Sequence, residues 1–150
     1  MKPKSCYAYL IDILNKKDFS TNELRLKAQN KEYPPQEVDQ AIELLIRQNY
    51  LNDKRYAENI IYFYSKTKGI NWLNRKMQEK KIPNSIIYDL LNEIEHDEDY
   101  SKLAEKIKSK FRIQSSSQID QALYLKIYRY LGYNGYDNIS NVISKVKQII

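Results

Sequence analysis

The groups in this chain that can act on a partner are its cations and its tyrosines, while the usual catalytic side chains are nearly missing. There is one histidine, one cysteine, no glycine-rich phosphate loop and no spacing of ligand residues that suits a metal. His96 lies in Glu93-Ile94-Glu95-His96-Asp97-Glu98-Asp99. That segment is rich in carboxylates, but a hard-cation loop needs a glycine turn and alternating ligands, which it lacks. It reads as a solvated acidic joint. Cys6 stands alone, so no intramolecular disulfide is possible, and it fits a small buried helix residue better than a nucleophile. No catalytic residue, cofactor or metal is expected, and hence no enzyme.

The cations are concentrated twice. Lys66, Lys68, Arg75, Lys76, Lys80 and Lys81 meet only Glu79 across 66–81, and Lys102, Lys106, Lys108, Lys110 and Arg112 meet only Glu105 across 102–112. Such runs can bind phosphates, releasing counterions and making affinity strongly salt dependent. They suit a carboxylate-bearing protein groove equally well, and ordinary solvated helix faces would look the same. Fourteen tyrosines include Tyr62, Tyr64, Tyr124, Tyr128, Tyr130, Tyr133 and Tyr136. A tyrosine near basic residues can stack on a base of a single strand. Most of these lie at helical spacing, however, where packing between helices is the plainer expectation. Trp72 follows Gly69 at the start of a helix, placed either to cap its unit or to meet a partner. The first run and its aromatic neighbour supply Lys66, Lys68, Trp72, Arg75, Lys76, Lys80 and Lys81 as candidate partner- or DNA-contacting residues. Lys106 and Lys110 come from the second run, and Arg25, Lys27, Arg55 and Arg129 complete the set.

These residues are carried on a scaffold that repeats at a spacing of 49. Tyr7, Ala8, Ile11 and Leu14 recur as Tyr56, Ala57, Ile60 and Phe63; Leu24, Lys27 and Ala28 recur as Leu73, Lys76 and Met77. Tyr33-Pro34 recurs as Ile82-Pro83, and Val38, Ala41, Ile42 and Leu45 recur as Ile87, Leu90, Leu91 and Ile94. A fixed period of this length marks stacked supersecondary units that bury their apolar faces against neighbours. Within the first unit, Tyr7, Leu10, Ile11 and Leu14 form a helical stripe. Ser20-Thr21-Asn22-Glu23 is a capping box that starts a second helix with Leu24 and Ala28. Pro34-Pro35 ends anything upstream and opens a third helix. Asn49-Tyr50-Leu51-Asn52-Asp53 is the joint to the next unit, with Asn52 or Asp53 as N-cap. The second unit has its middle turn at Lys68-Gly69-Ile70-Asn71. A degenerate third follows, in which Leu103, Ala104 and Ile107 match at a shift of 47, and Ile139, Val142, Ile143 and Val146 at 101. Arg112-Ile113-Gln114-Ser115-Ser116-Ser117 is a polar link within it, and Asp120 begins no obvious cap. The expected fold class is all-α, three tandem three-helix units at 1–51, 52–97 and 98–150, the second and third helices of each being helix-turn-helix-like in size.

Bulk composition narrows the partners. A formal charge of +6 and a pI near 9.2 favour an acidic partner such as nucleic acid, though a merely lysine-rich surface has the same charge. Three glycines and four prolines leave little room for an all-β fold. No apolar run approaches the ~18 residues of a membrane span, and Met1-Lys2-Pro3-Lys4 leads into an amphipathic helix rather than a signal peptide. A soluble, cytoplasmic protein is expected.

Three such units with these joints resemble the RecX family, bacterial modulators of the RecA recombinase. Tyr50-Leu51-Asn52-Asp53-Lys54-Arg55-Tyr56-Ala57-Glu58 carries the resemblance: an apolar pair, an acidic residue, then basic-aromatic-Ala. Ser20-Thr21-Asn22-Glu23-Leu24, Lys68-Gly69-Ile70, Arg129-Tyr130-Leu131 and Gly135-Tyr136 support it, and the likeness runs from about Ser5 to Val146. Two departures stand out. The family usually has glycine before the aromatic residue that ends the second helix, where this chain has Glu32 and Lys81, and Tyr133-Asn134 stands where many relatives are basic.

The resemblance implies an elongated, curved helical array that lies in the groove of RecA–DNA filaments and limits their growth in recombination, repair and the SOS response. The implied partners are the RecA filament and DNA, single-stranded first and double-stranded second. The implied activity is regulatory, with inhibition the expected direction and a monomer the expected state. A different class of reading is a helix-turn-helix DNA-binding protein or transcriptional regulator, with a recognition helix within 66–81. A third is a purely structural helical-repeat scaffold. Binding to a RecA–single-strand filament, compared with either component alone, separates the three.

Overall fold

The computed structural model describes residues 4–94 and 99–150, and among them every regular element is helical. The core of the acidic joint around His96, residues 95–98, falls outside the described residues. In chain order the helices are α1 Cys6–Leu14, α2 Thr21–Asn30, α3 Pro35–Arg47, α4 Asp53–Tyr64 and α5 Ile70–Glu79. Then follow α6 Asn84–Glu93, α7 Ser101–Phe111, α8 Gln121–Tyr133 and α9 Ile139–Ile149, with one 3-10 turn at Ser116–Gln118.

Local chemistry sets the helix starts. Ser20 and Glu23 form the expected reciprocal box: the Glu23 N–H donates to Ser20 Oγ at 3.1 Å, and the Ser20 N–H donates to Glu23 Oε1 at 2.9 Å. Pro35 sits in the first turn of α3, where its missing N–H costs no helix bond. Of the two candidate caps for α4, Asn52 takes the role, its Oδ1 accepting from the Arg55 N–H at 3.0 Å. Asp53 instead accepts from the Thr21 N–H at 2.7 Å. Asp120, where no cap is expected from the sequence, does cap α8 through the Leu123 N–H at 2.8 Å. Its signal is hidden because Leu123 stands where a capping box would have Glu or Gln.

The 49-residue shift maps α2 onto α5 residue for residue. Leu24 and Ala28 are buried in one and Leu73 and Met77 in the other. Val38 and Ala41 of α3 correspond to the buried Ile87 and Leu90 of α6, but Leu91 and Ile94 are only half-buried where Ile42 and Leu45 are buried. The helix α6 ends at Glu93, about a turn earlier than a shifted α3 would. Phe63 departs further from its counterpart Leu14: it is 72% exposed and meets the ring of Tyr62 edge-on at 5.6 Å.

Five helix ends, at Glu32, Asn49, Lys81, Arg112 and Gly135, share one left-handed turn geometry. Glu32, Lys81 and Gly135 have φ of +63°, +59° and +85°. In each case the next N–H reaches back to the helix: Tyr33 to the Ala28 carbonyl at 3.3 Å, Ile82 to Met77 at 3.1 Å, and Tyr136 to Leu131 at 3.0 Å. This is the left-handed termination that satisfies carbonyls at a helix end. Glu32 and Lys81 thus occupy the glycine position without being glycine.

The chain folds into two compact units, Met1–Asn59 with Met77–Leu90, and Ile60–Lys76 with Leu91–Ile150. In the first, α1 and α2 pack on α3 around Cys6, Leu10, Leu24, Ala28, Val38 and Leu45. Cys6 is buried as expected, and burial raises its thiol pKa, keeping it protonated. In the second, α7 and α8 pack on α9 around Leu103, Ile107, Ile127, Leu131, Ile143 and Val146.

Candidate functional site

The second unit brings the chemistry together where α5 begins. Gly69 donates its N–H to the Asn134 carbonyl at 2.9 Å, and Asn71 donates to the Gly135 carbonyl at 3.1 Å. Orphan donors at the start of α5 therefore meet orphan acceptors just past the end of α8, so each end satisfies the other. No side chain separates the two backbones. A Cβ on Gly69 would lie 2.4 Å from the Gly135 carbonyl carbon, and one on Gly135 would lie 2.2 Å from the Trp72 nitrogen.

A basic and aromatic cluster forms around that contact. Asn134 is buried. Its amide donates to the Tyr130 carbonyl at 2.7 Å, and its Oδ1 accepts from the Lys68 ammonium. The Lys68 Nζ also lies 5.2 Å from the Trp72 ring centroid, with the Lys76 Nζ at 5.8 Å and the Tyr64 ring at 4.7 Å. Burial holds the Lys68 pKa below its ordinary value, and the positive charge of Lys106 adds to that shift. Trp72 is half-buried, and so acts as the cover of this contact as well as the ring between two cations.

Beyond Asn134 the side chains of α7 and α8 line an open groove of about 540 Å³. Lys110, Phe111, Lys126, Arg129, Tyr130 and Tyr133 border it. The Lys110 Nζ lies 5.4 Å from the Tyr130 ring, and Phe111 meets Tyr130 edge-on at 5.8 Å. Tyr133 is 86% exposed.

Of the thirteen candidate residues, Lys68, Trp72 and Lys76 meet directly, and Lys110 and Arg129 share the groove. Lys106 acts on Lys68 through its charge, Lys66 adds to the lowering of the Asp99 pKa that the hydrogen bonds from Ser101 mainly cause, and Arg75 is exposed on α5. The remaining five belong to the first compact unit, where the structure gives each a partner within the fold. Arg25 pairs with Asp39, and Lys27 lies over Phe19 at 5.1 Å. The backbone carbonyls of Lys80 and Lys81 accept from Ser20 Oγ at 2.5 Å and Asn22 Nδ2 at 2.9 Å. Arg55 donates to the Asn49 and Tyr50 carbonyls at 3.1 and 3.2 Å, which makes it a clamp on the α3–α4 joint. The expected continuous run 66–81 is therefore divided between the two units after Lys76.

Packing as the general role of the tyrosines holds only in part. Tyr130 and Tyr136 are partly buried, and burial raises the pKa of both phenols. Tyr62, Tyr64, Tyr128 and Tyr133 are exposed, because helical spacing identifies a face without saying whether another element covers it. Lys126 carries no signal in charge density, since it lies outside both dense runs. Its signal is the spacing of Lys126, Arg129, Tyr130 and Tyr133 at i, i+3, i+4 and i+7 on α8. Among the described residues no cluster of three or more His, Cys, Asp or Glu suits a metal, and no helix is long and apolar enough to cross a membrane.

No family model matches the chain. Individual proteins do. The chain is 30% identical over 138 residues to the regulatory protein RecX of Vibrio parahaemolyticus serotype O3:K6, across 89% of this chain and 86% of that protein. The chain belongs to the RecX family. The regulatory protein RecX of Haemophilus influenzae (strain 86-028NP) is 26% identical over 143 residues, covering 93% of both. The crystal structure of RecX from Lactobacillus salivarius has the same fold, with a TM-score of 0.76 at 22% identity over 96% of each chain. Membership makes this a chain of a regulatory family. It also gives a physical meaning to the segment that carries the RecX resemblance: Leu51 and Ala57 are buried, Asn52 caps α4, Asp53 ties down α2 and Arg55 clamps the joint. That segment positions helices.

Proposed function

We propose that this RecX-family chain binds RecA–DNA filaments and restrains recombinase activity, limiting filament growth in recombination and repair. Acting as a cytoplasmic monomer built from three helical repeats, at 1–51, 52–97 and 98–150, it would contact RecA first and DNA phosphates second. The observation that carries the reading is the convergence of Lys68, Trp72 and Lys76 with Lys110 and Arg129 in one compact unit. Cations held beside aromatic rings suit an anionic, partly apolar surface such as a nucleoprotein filament. The recurrence of the α2 bounds as α5, with the left-handed turn at Glu32 repeated 49 residues on at Lys81, supports the repeat organisation.

The test is inhibition of RecA-driven strand exchange and ATP hydrolysis. Wild-type chain should inhibit both, and the variant with Arg75→Glu, Lys76→Glu and Lys80→Glu should remain helical but lose that inhibition. A variant that inhibits normally removes these three residues from the contact. Tight, sequence-selective duplex binding without any effect on RecA would instead favour a DNA-binding regulator of the helix-turn-helix class.

A further inference from the structure

We infer that the groove between α7 and α8 is a stacking site for an unpaired nucleotide of a single strand, with Tyr133 as the platform for the base and Lys110, Lys126 and Arg129 as the phosphate contacts. This deepens the reading above, on which it rests for the presence of a single strand, but it adds Lys126 and Tyr133 and a mode of recognition that reading does not use.

Three features of the groove point to this occupant. The first is spacing. Lys126, Arg129, Tyr130 and Tyr133 share one face of α8, opposite in character to the buried Ile127 and Leu131 of the same helix. The face sets two cations beside two rings, and a single strand offers a phosphate and a base to match them. The second is charge. From 106 to 136 the chain has six cationic residues and a single carboxylate, Asp120, whose oxygen is engaged in capping α8. Among the described residues, no acidic side chain borders the groove.

The third feature is the state of the rings. Tyr130 is half-buried with Phe111 against it and the Lys110 ammonium near both rings, at 5.4 and 5.9 Å. Those two rings belong to the wall. Tyr133 is 86% exposed and stands at the rim, where its face is free to take a planar partner. Stacking on an exposed ring is tolerant of sequence, because every base offers a π-face. Duplex DNA offers phosphates but keeps its bases stacked inside. An acidic peptide would satisfy the cations without needing the ring. The groove is also open rather than enclosed, which suits a strand passing through better than a free nucleotide held on all sides.

The experiment uses the full chain without RecA, titrated against an end-labelled oligothymidylate and an abasic strand with the same number of phosphates, read by fluorescence anisotropy. The wild-type chain should bind the oligothymidylate about tenfold more tightly than the abasic strand. Tyr133→Ala should reduce oligothymidylate affinity to the abasic level, and Tyr133→Phe should restore it. Lys126→Ala and Arg129→Ala should weaken both strands equally and each lower the salt slope by about one. Circular dichroism should be unchanged in all four variants, since these side chains lie outside the core. Equal binding of the two strands by wild type, full retention of affinity by Tyr133→Ala, or displacement of the strand by stoichiometric ATP overturns the inference. A chain that binds RecA filaments yet does not distinguish the strands overturns this inference alone. One that distinguishes the strands yet ignores RecA overturns the proposed function alone.

Discussion

Two places in the molecule solve the same problem with different atoms. In the first compact unit the start of α2 meets the turn after α5 through side chains: Ser20 Oγ donates to the Lys80 carbonyl at 2.5 Å, and Asn22 Nδ2 donates to the Lys81 carbonyl at 2.9 Å. In the second unit the start of α5 meets the turn after α8 through the backbone, Gly69 donating to Asn134 and Asn71 to Gly135. The donors are related by the 49-residue shift and the acceptors by one of 54. What differs is the separation. Where side chains bridge the gap, Lys81 can sit at φ +59° with its Cβ in place; where the backbones touch, both residues must be glycine. The glycine requirement at Gly135 therefore comes from packing, with the positive φ only a part of it.

The largest expected effect tests that distinction. Gly135→Ala should cost roughly 3 kcal/mol or more, because a methyl group is forced against Trp72 in addition to the left-handed strain. Lys81→Ala, at nearly the same φ, should stay within about 0.5 kcal/mol of wild type, since its side chain is exposed and the strain is unchanged. Chemical denaturation of the two variants decides the matter, and equal losses would mean that φ alone governs both turns.

A smaller effect is expected at the bridging side chain. Ser20 is fully buried, accepts from the Glu23 N–H and donates to Lys80, so Ser20→Ala removes a cap and strands a carbonyl. A loss of about 1–2 kcal/mol should appear in the same assay. No loss would show that water replaces the hydroxyl at no cost and that the first contact is not held by side chains. The smallest change is a gain. Glu32→Gly relieves left-handed strain at an exposed turn and should raise stability by up to about 1 kcal/mol, offset by the extra freedom of glycine in the unfolded chain.

The comparison also marks how much of the molecule can be read from its residues. The capping box at Ser20, the proline that opens α3 and the match of α2 to α5 are local or periodic features, and a sequence displays both. Asp120 escapes because its cap lacks the reciprocal partner. Leu91, Phe63 and Tyr133 escape because periodicity assigns a side chain to a face but not the cover over that face. The site follows the same rule. Charge density locates Lys68, Lys76 and Lys110, whereas the hydrogen bond of Lys68 to Asn134 and the role of Lys126 depend on which helix ends meet. Arg55 is the instructive case: it belongs to the segment most characteristic of the family, yet its guanidinium holds two backbone carbonyls of the joint.

The most direct test is of what the chain binds. Wild-type chain and the triple reversal at Arg75, Lys76 and Lys80 are titrated onto RecA–single-strand filaments, with RecA alone and naked strand as references. The expected result is tighter binding of wild type to the filament than to either component, and a loss of about tenfold or more in the variant. That loss is larger than one exposed ion pair supplies, because several contacts are removed together. A filament affinity no higher than that for naked DNA would contradict the account.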